Sequence, residues 1–98
     1  MADPRSSATH GTKVLSTCAV TSTAGQGMLV LAANANRKSA LIVNNGTQTV
    51  YLDVANTVST TASIPLLTGA SLTDSTSTDA WYGLAASTTG DLRVCEVS

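Results

Sequence analysis

The residues able to do chemistry in this chain are few and scattered. One histidine, His10, two cysteines, Cys18 and Cys95, and six acidic residues make up the set. His10 sits in a polar N-terminal stretch without apolar periodicity, which gives a general base no framework to hold it against a substrate. A serine nucleophile needs an oriented base, and no histidine lies elsewhere in the chain. Asp53 and Asp91 fall in or beside predicted strands, at a spacing that does not pair them for acid–base work. Asp74 and Asp79 bracket the polar loop DSTSTD, a weak calcium motif, since that ion takes about six to eight oxygens and usually several carboxylates. A solvated turn accounts for it better. His10, Cys18 and Cys95 form only a dispersed zinc set, and no glycine-rich phosphate loop follows a strand and opens a helix. The expectation is a chain with no catalysis, cofactor, metal or small-molecule substrate.

What remains is surface. Trp81-Tyr82 is the one concentration of aromatic residues. Adjacent positions on a strand point to opposite faces, so one ring belongs to a core and the other to an interface or a sugar-stacking platform. Arg37-Lys38 is the one adjacent basic pair, read either as a solvated strand end or as an ion-pairing contact to a neighbouring subunit. Tyr51 and Asp53 alternate with Val50, Leu52 and Val54 and form the outward face of that strand. Arg37, Lys38, Tyr51, Asp53, Trp81 and Tyr82 are therefore the candidate protein-interface residues.

Strands must position them. The sequence around this face, RKSALIVNNGTQTVYLDV from Arg37 to Val54, holds two β-branched apolar runs, Ala40–Val43 and Val50–Val54. Between them lies Asn44-Asn45-Gly46-Thr47, whose Asn and Gly tolerate the positive φ of a tight turn; the pattern predicts an antiparallel hairpin. Further strands are expected at Lys13–Val20, Met28–Ala33, Ile64–Leu67, Ala70–Thr73, Ala80–Ser87 and Leu92–Val97. Pro65 demotes its run to an edge or a short extended piece, and Gly83 marks a bulge or a close approach. Thr88-Thr89-Gly90-Asp91 reads as a second hairpin turn, and Ala55–Ser63 as a loop. No window carries an amphipathic helix. The fold class is all-β: one antiparallel β-sandwich domain over 13–98, jelly-roll-like, with about seven or eight short strands. Residues 1–12 read as a flexible N-terminal arm.

Composition narrows the function classes. The 98 residues carry a net charge of −1, with basic and acidic side chains dispersed, so there is no electrostatic footprint for nucleic acid or an anionic membrane. No run approaches the roughly 20 apolar residues of a membrane-spanning helix, and the N-terminus has no apolar signal region. Only 11% of residues are charged; 16 Thr and 12 Ser supply the polar surface. The core is light, without Phe and rich in Ala, Val and Leu. A domain of this size buries only roughly 60–65% of its unfolded surface, so burial against partner subunits is the natural remedy. Cys18 and Cys95 either form a disulfide tying the first strand to the last or pack as two reduced thiols.

Asn34-Ala35-Asn36-Arg37, the strand Ala40–Val43, Asn44-Asn45-Gly46 and Val50-Tyr51-Leu52 resemble a segment recurrent in small virion proteins of tailed bacteriophages. Ile64-Pro65-Leu66 with Gly69 is similar to the middle of that pattern. Trp81-Tyr82-Gly83-Leu84-Ala85 with Asp91-Leu92-Arg93-Val94 is similar to its end. The resemblance spans about Val14 to Val97. It implies a β-sandwich that decorates or cements the capsid exterior, commonly as a homotrimer at local symmetry axes. The major capsid protein is the implied partner, and assembly the host cytoplasm. It also implies stabilisation of the shell against internal DNA pressure after capsid expansion, with the arm lying along a neighbouring subunit. A head-fibre, collar or tail-associated module is the alternative, and a carbohydrate-binding module using Trp81 or Tyr82 a further one.

Overall fold

Strict alternation along Val50-Tyr51-Leu52-Asp53 is the clearest local signal, and burial follows it: Val50 and Leu52 are fully buried while Tyr51 and Asp53 are half-buried. The same logic builds eight strands in a computed structural model that describes residues 12–23 and 27–98. They are β1 (Lys13–Val20), β2 (Met28–Leu31), β3 (Ser39–Asn44), β4 (Val50–Asp53), β5 (Ile64–Leu66), β6 (Ser71–Asp74), β7 (Trp81–Ala85) and β8 (Gly90–Val97). The predicted arm and His10 lie outside the described residues, save Thr12. That residue exchanges both backbone bonds with Ser98, at 2.7 and 2.9 Å, and extends the β1–β8 ladder.

Two four-stranded antiparallel sheets result, ordered β1-β8-β3-β6 and β2-β7-β4-β5. This is the eight-stranded jelly roll, in which nearly every connection crosses from one sheet to the other. Inward-facing Val20, Ile42, Leu92 and Val94 of the first sheet meet Val30, Val50, Leu52, Leu66, Trp81 and Ala85 of the second. Gly83 faces that core: a Cβ there would lie 3.0 Å from Val30 Cγ2 and 3.4 Å from Val20 Cγ1. It marks a close approach of the sheets. Pro65 lies on β5, at the edge of the second sheet, opposite Tyr51.

Both expected hairpins are corrected. β3 pairs with β6 and β8, whereas β4 pairs with β5 and β7, so the Arg37–Val54 segment spans the sandwich. β7 and β8 likewise belong to opposite sheets. Alternation shows that each strand has one buried face; it does not distinguish a neighbour beside the strand from one across the core. Nor does the connection use positive φ. Among the described residues only Gly69 has it, at 78°. Instead the buried Asn44 side chain shapes the crossing. Its Nδ2 donates to the carbonyls of Gln48 (2.7 Å) and Leu66 (2.9 Å), while its Oδ1 accepts from Gly46 N–H at 3.0 Å. Every polar atom of that amide is thus engaged across the two sheets.

Candidate interaction surface

The six residues singled out from the sequence fall in three different settings. Arg37 is buried, and its guanidinium is satisfied within its own chain. Nε donates to Glu96 Oε2 at 2.8 Å, Nη1 to the Asp79 carbonyl at 2.7 Å and Nη2 to the Ala32 carbonyl. It fastens the end of β2, the loop before β7 and strand β8 together, so its side chain is neither a solvated strand end nor a contact to a neighbour. Lys38 beside it is exposed, with its backbone N–H on the Val97 carbonyl at 2.7 Å.

Trp81 is the core member of the aromatic pair. Its Nε1–H donates to Asp74 Oδ2 at 3.0 Å, a polar bridge from β7 in one sheet to β6 in the other. Asp74 also accepts from the Thr76 and Ser77 backbone N–H groups (3.0 and 3.1 Å) and from Ser77 Oγ (2.7 Å). These donors, the Thr76 N–H foremost, hold the carboxyl far below the usual carboxylate range despite the opposing effect of burial. The carboxylate that opens the polar loop is therefore occupied by its own turn and by Trp81. Among the described residues no group of three or more His, Cys, Asp or Glu is placed to hold a metal ion.

Tyr51, Asp53 and Tyr82 share the outer face of the second sheet, with Asp53 opposite Tyr82. That face is partly roofed. The loop after β4 returns over it: Asn56 accepts from the Gly27 N–H, Val58 is only 4% exposed, and a Cβ on Gly27 would collide with Val58 Cγ2. Leu84, opposite Tyr51, is buried although it points away from the central core. Asp53 accepts from Ser63 Oγ at 2.7 Å and from Ala55 N–H at 3.2 Å, which lowers its carboxyl and pins both ends of the loop.

The outer face of the first sheet has no such cover among the described residues. Register places Leu15, Cys95, Leu41 and Thr73 in one row across all four strands, and Thr17, Arg93, Val43 and Ser71 in the next. Leu15 is 79% exposed and Leu41 38%. Together with Thr17, Arg93 and Cys95 they line a shallow, largely apolar depression of about 350 Å³. At its rim Arg93 Nη2 donates to Asp91 Oδ2 at 3.2 Å, an exposed ion pair. This face contains none of the six residues that the sequence singles out. Its signal was present in Ala40-Leu41-Ile42-Val43: four apolar residues in a row on a strand must turn two outward. Cys18, by contrast, packs against the core, where burial pushes its thiol up. Both thiols are free, and β1–β8 register sets Cys18 opposite Leu92 but Cys95 opposite Leu15. They stand three positions apart along the ladder on opposite faces of the sheet, so of the two alternatives the thiols stay reduced and no tie from first strand to last forms.

No family model matches this chain, and no curated protein matches it in sequence. Among solved structures it is similar to a chain from Bacillus endospore appendages, described as a novel family of disulfide-linked pili. Identity is 20%, covering 90% of this chain and 89% of that one, with a TM-score of 0.41.

Proposed function

We propose that this chain is a non-enzymatic structural subunit of a bacteriophage virion, a decoration or cement protein bound to the capsid exterior. The observation that carries the reading is the uncovered apolar outer face of the β1-β8-β3-β6 sheet. A row of Leu15, Cys95 and Leu41 in water is costly, at roughly 25 cal/mol per Å² of apolar surface, and a flat face of this kind suits burial against another protein. Support comes also from the dispersed charge and hydroxyl-rich surface, and from the resemblance of Asn34–Leu52 and Trp81–Val94 to phage virion proteins. The face would sit across the boundary between major capsid subunits, with Arg93 and Asp91 at the polar rim. Attachment adds buried area between capsomers without chemistry.

The test is occupancy on purified shells. Leu41→Glu places a charge at the centre of the face, on an inner strand of the sheet, and should abolish attachment while leaving the thermal midpoint within a few degrees. Undiminished attachment, or absence of the protein from purified particles, would overturn the reading. A head-fibre, collar or tail-associated position uses the same surface, and particle reconstruction separates it by location. The carbohydrate reading loses Trp81, which is buried and bonded to Asp74; a glycan array tests what Tyr82 alone retains.

A further inference from the structure

The two sheets expose four strand edges, and three of them are blunted. β5 is three residues long and carries Pro65, which has no N–H to offer. β2 is four residues long and its register shifts between Leu29 and Leu31. β6 is also four residues long and ends in Asp74. Short strands, proline and bulges are the devices by which sheets avoid pairing with other chains. β1 has none of them. It runs eight residues, Lys13–Val20, in unbroken register with β8, and no strand pairs with its other side among the described residues.

Which backbone groups that edge presents follows from the ladder. Thr12 and Ser98 exchange two bonds, and antiparallel residues alternate between bonded and non-bonded pairs. Val14, Ser16, Cys18 and Val20 therefore point their N–H and C=O groups at β8, while Lys13, Leu15, Thr17 and Ala19 point theirs outward. Apart from a 3.9 Å contact of Cys18 Sγ on the Ala19 carbonyl, the outward groups are without partners in the described chain.

We infer that β1 is a self-pairing edge, and that its occupant is β1 of a second copy, antiparallel across a two-fold axis at Ser16. An outward row of N–H and C=O groups is completed by a strand, and among the described residues the one free edge of equal length is β1 itself. Centring on Ser16 sets Leu15 opposite the partner's Thr17 and Lys13 opposite the partner's Ala19, so all four outward residues of both copies bond. Other registers leave some of them unpaired. No like charges meet. In the row Asp91–Ala19, the next position is the partner's Lys13, on the face and within reach of the Asp91 carboxylate. On the other face Val14, 50% exposed in the single chain, comes to lie beside the partner's Cys18. The product is a continuous eight-stranded sheet whose bare outer face is doubled in area. The pairing is isologous and closed, so it ends at a dimer. It goes beyond the proposed capsid role and stands whether or not the chain binds a shell.

Three measurements on the full chain test it. Sedimentation over a concentration series should show a monomer–dimer equilibrium. Thr17→Pro removes one outward N–H from each copy without touching the β1–β8 bonds, and should weaken the dimer about 30-fold. Ser16→Cys, in a Cys18→Ser, Cys95→Ser background, places two thiols at a close non-bonded pair on the axis and should oxidise to a covalent dimer. Lys13→Cys in the same background should not. In the unaltered chain, amide exchange should be slow at Leu15 and Thr17 above the dimer concentration and fast below it. A monomer at every concentration would overturn the inference, and so would a dimer indifferent to Thr17→Pro that Ser16→Cys does not link. Slow exchange at Leu15 and Thr17 in a strict monomer would assign the edge to residues 1–11 of the same chain, and would overturn it equally.

Discussion

The two sheets bury their inner faces together but treat their outer faces in opposite ways. The β2-β7-β4-β5 sheet is partly roofed: the loop after β4 covers part of it with Val58, Leu84 is buried on it, and Pro65 closes an edge, while Leu29 on the β2 edge stays 48% exposed. The β1-β8-β3-β6 sheet is left open, with Leu15 and Leu41 in water and an eight-residue edge unpaired. One sandwich thus has a side roofed in part by its own loop and a side left open. A light core gives little stability to spare, so apolar residues kept out of it call for a role outside the single chain. Their place is where the proposed partner would lie.

The largest effect should come from cutting what holds the two sides together. Arg37→Ala leaves the Glu96 carboxylate and the Asp79 and Ala32 carbonyls without their donor, and should cost about 3–4 kcal/mol in urea unfolding. A loss below about 1 kcal/mol would show that the latch is ornamental. Next comes the partly roofed face, where Leu84→Ala should cost about 3 kcal/mol because the residue is packed although outward. Leu15→Ser on the open face should change stability by less than about 0.5 kcal/mol in dilute monomer. Equal costs at Leu84 and Leu15 would erase the distinction between the faces.

Acid probes the bridge between sheets. The Asp74 carboxyl titrates lower in the folded chain than in the unfolded one. Its contribution is therefore fully present above the unfolded value and is lost as pH falls through the folded one. The thermal midpoint should stay level from neutral pH to about 5 and decline below about 4. Asp53 and Asp91, both also lowered, act in the same direction. Asp74→Asn should reduce stability at pH 7 by about 2 kcal/mol and flatten the acid decline. An unchanged slope would move the acid sensitivity to other groups.

Much of the fold was legible because strand signals are local. Lys13–Val20 was bounded as it stands in the structure, and Pro65 correctly marked an edge. The hairpins failed because sheet membership is not local: Asn44-Asn45-Gly46 has turn chemistry that serves a crossing as well as a reversal. Among the site residues, Trp81 was legible as one half of an inward–outward pair. Arg37 was misjudged because a basic dipeptide does not reveal that Glu96, far along the chain, will meet it. Leu15 and Cys95 were passed over since β1 carries apolar residues on both faces, and the open face emerges only when three strands are set in register.

Cys95 offers the most direct test, because its thiol lies in the middle of the open face, beside Leu15 and Leu41. In a Cys18→Ser background, maleimide labelling of Cys95 should be compared between dilute free protein and protein bound to purified capsids. The account predicts ready labelling when free and at least about tenfold slower labelling when bound, as expected for a thiol removed from solvent. Equal rates at full occupancy would mean that the open face is not what the partner covers.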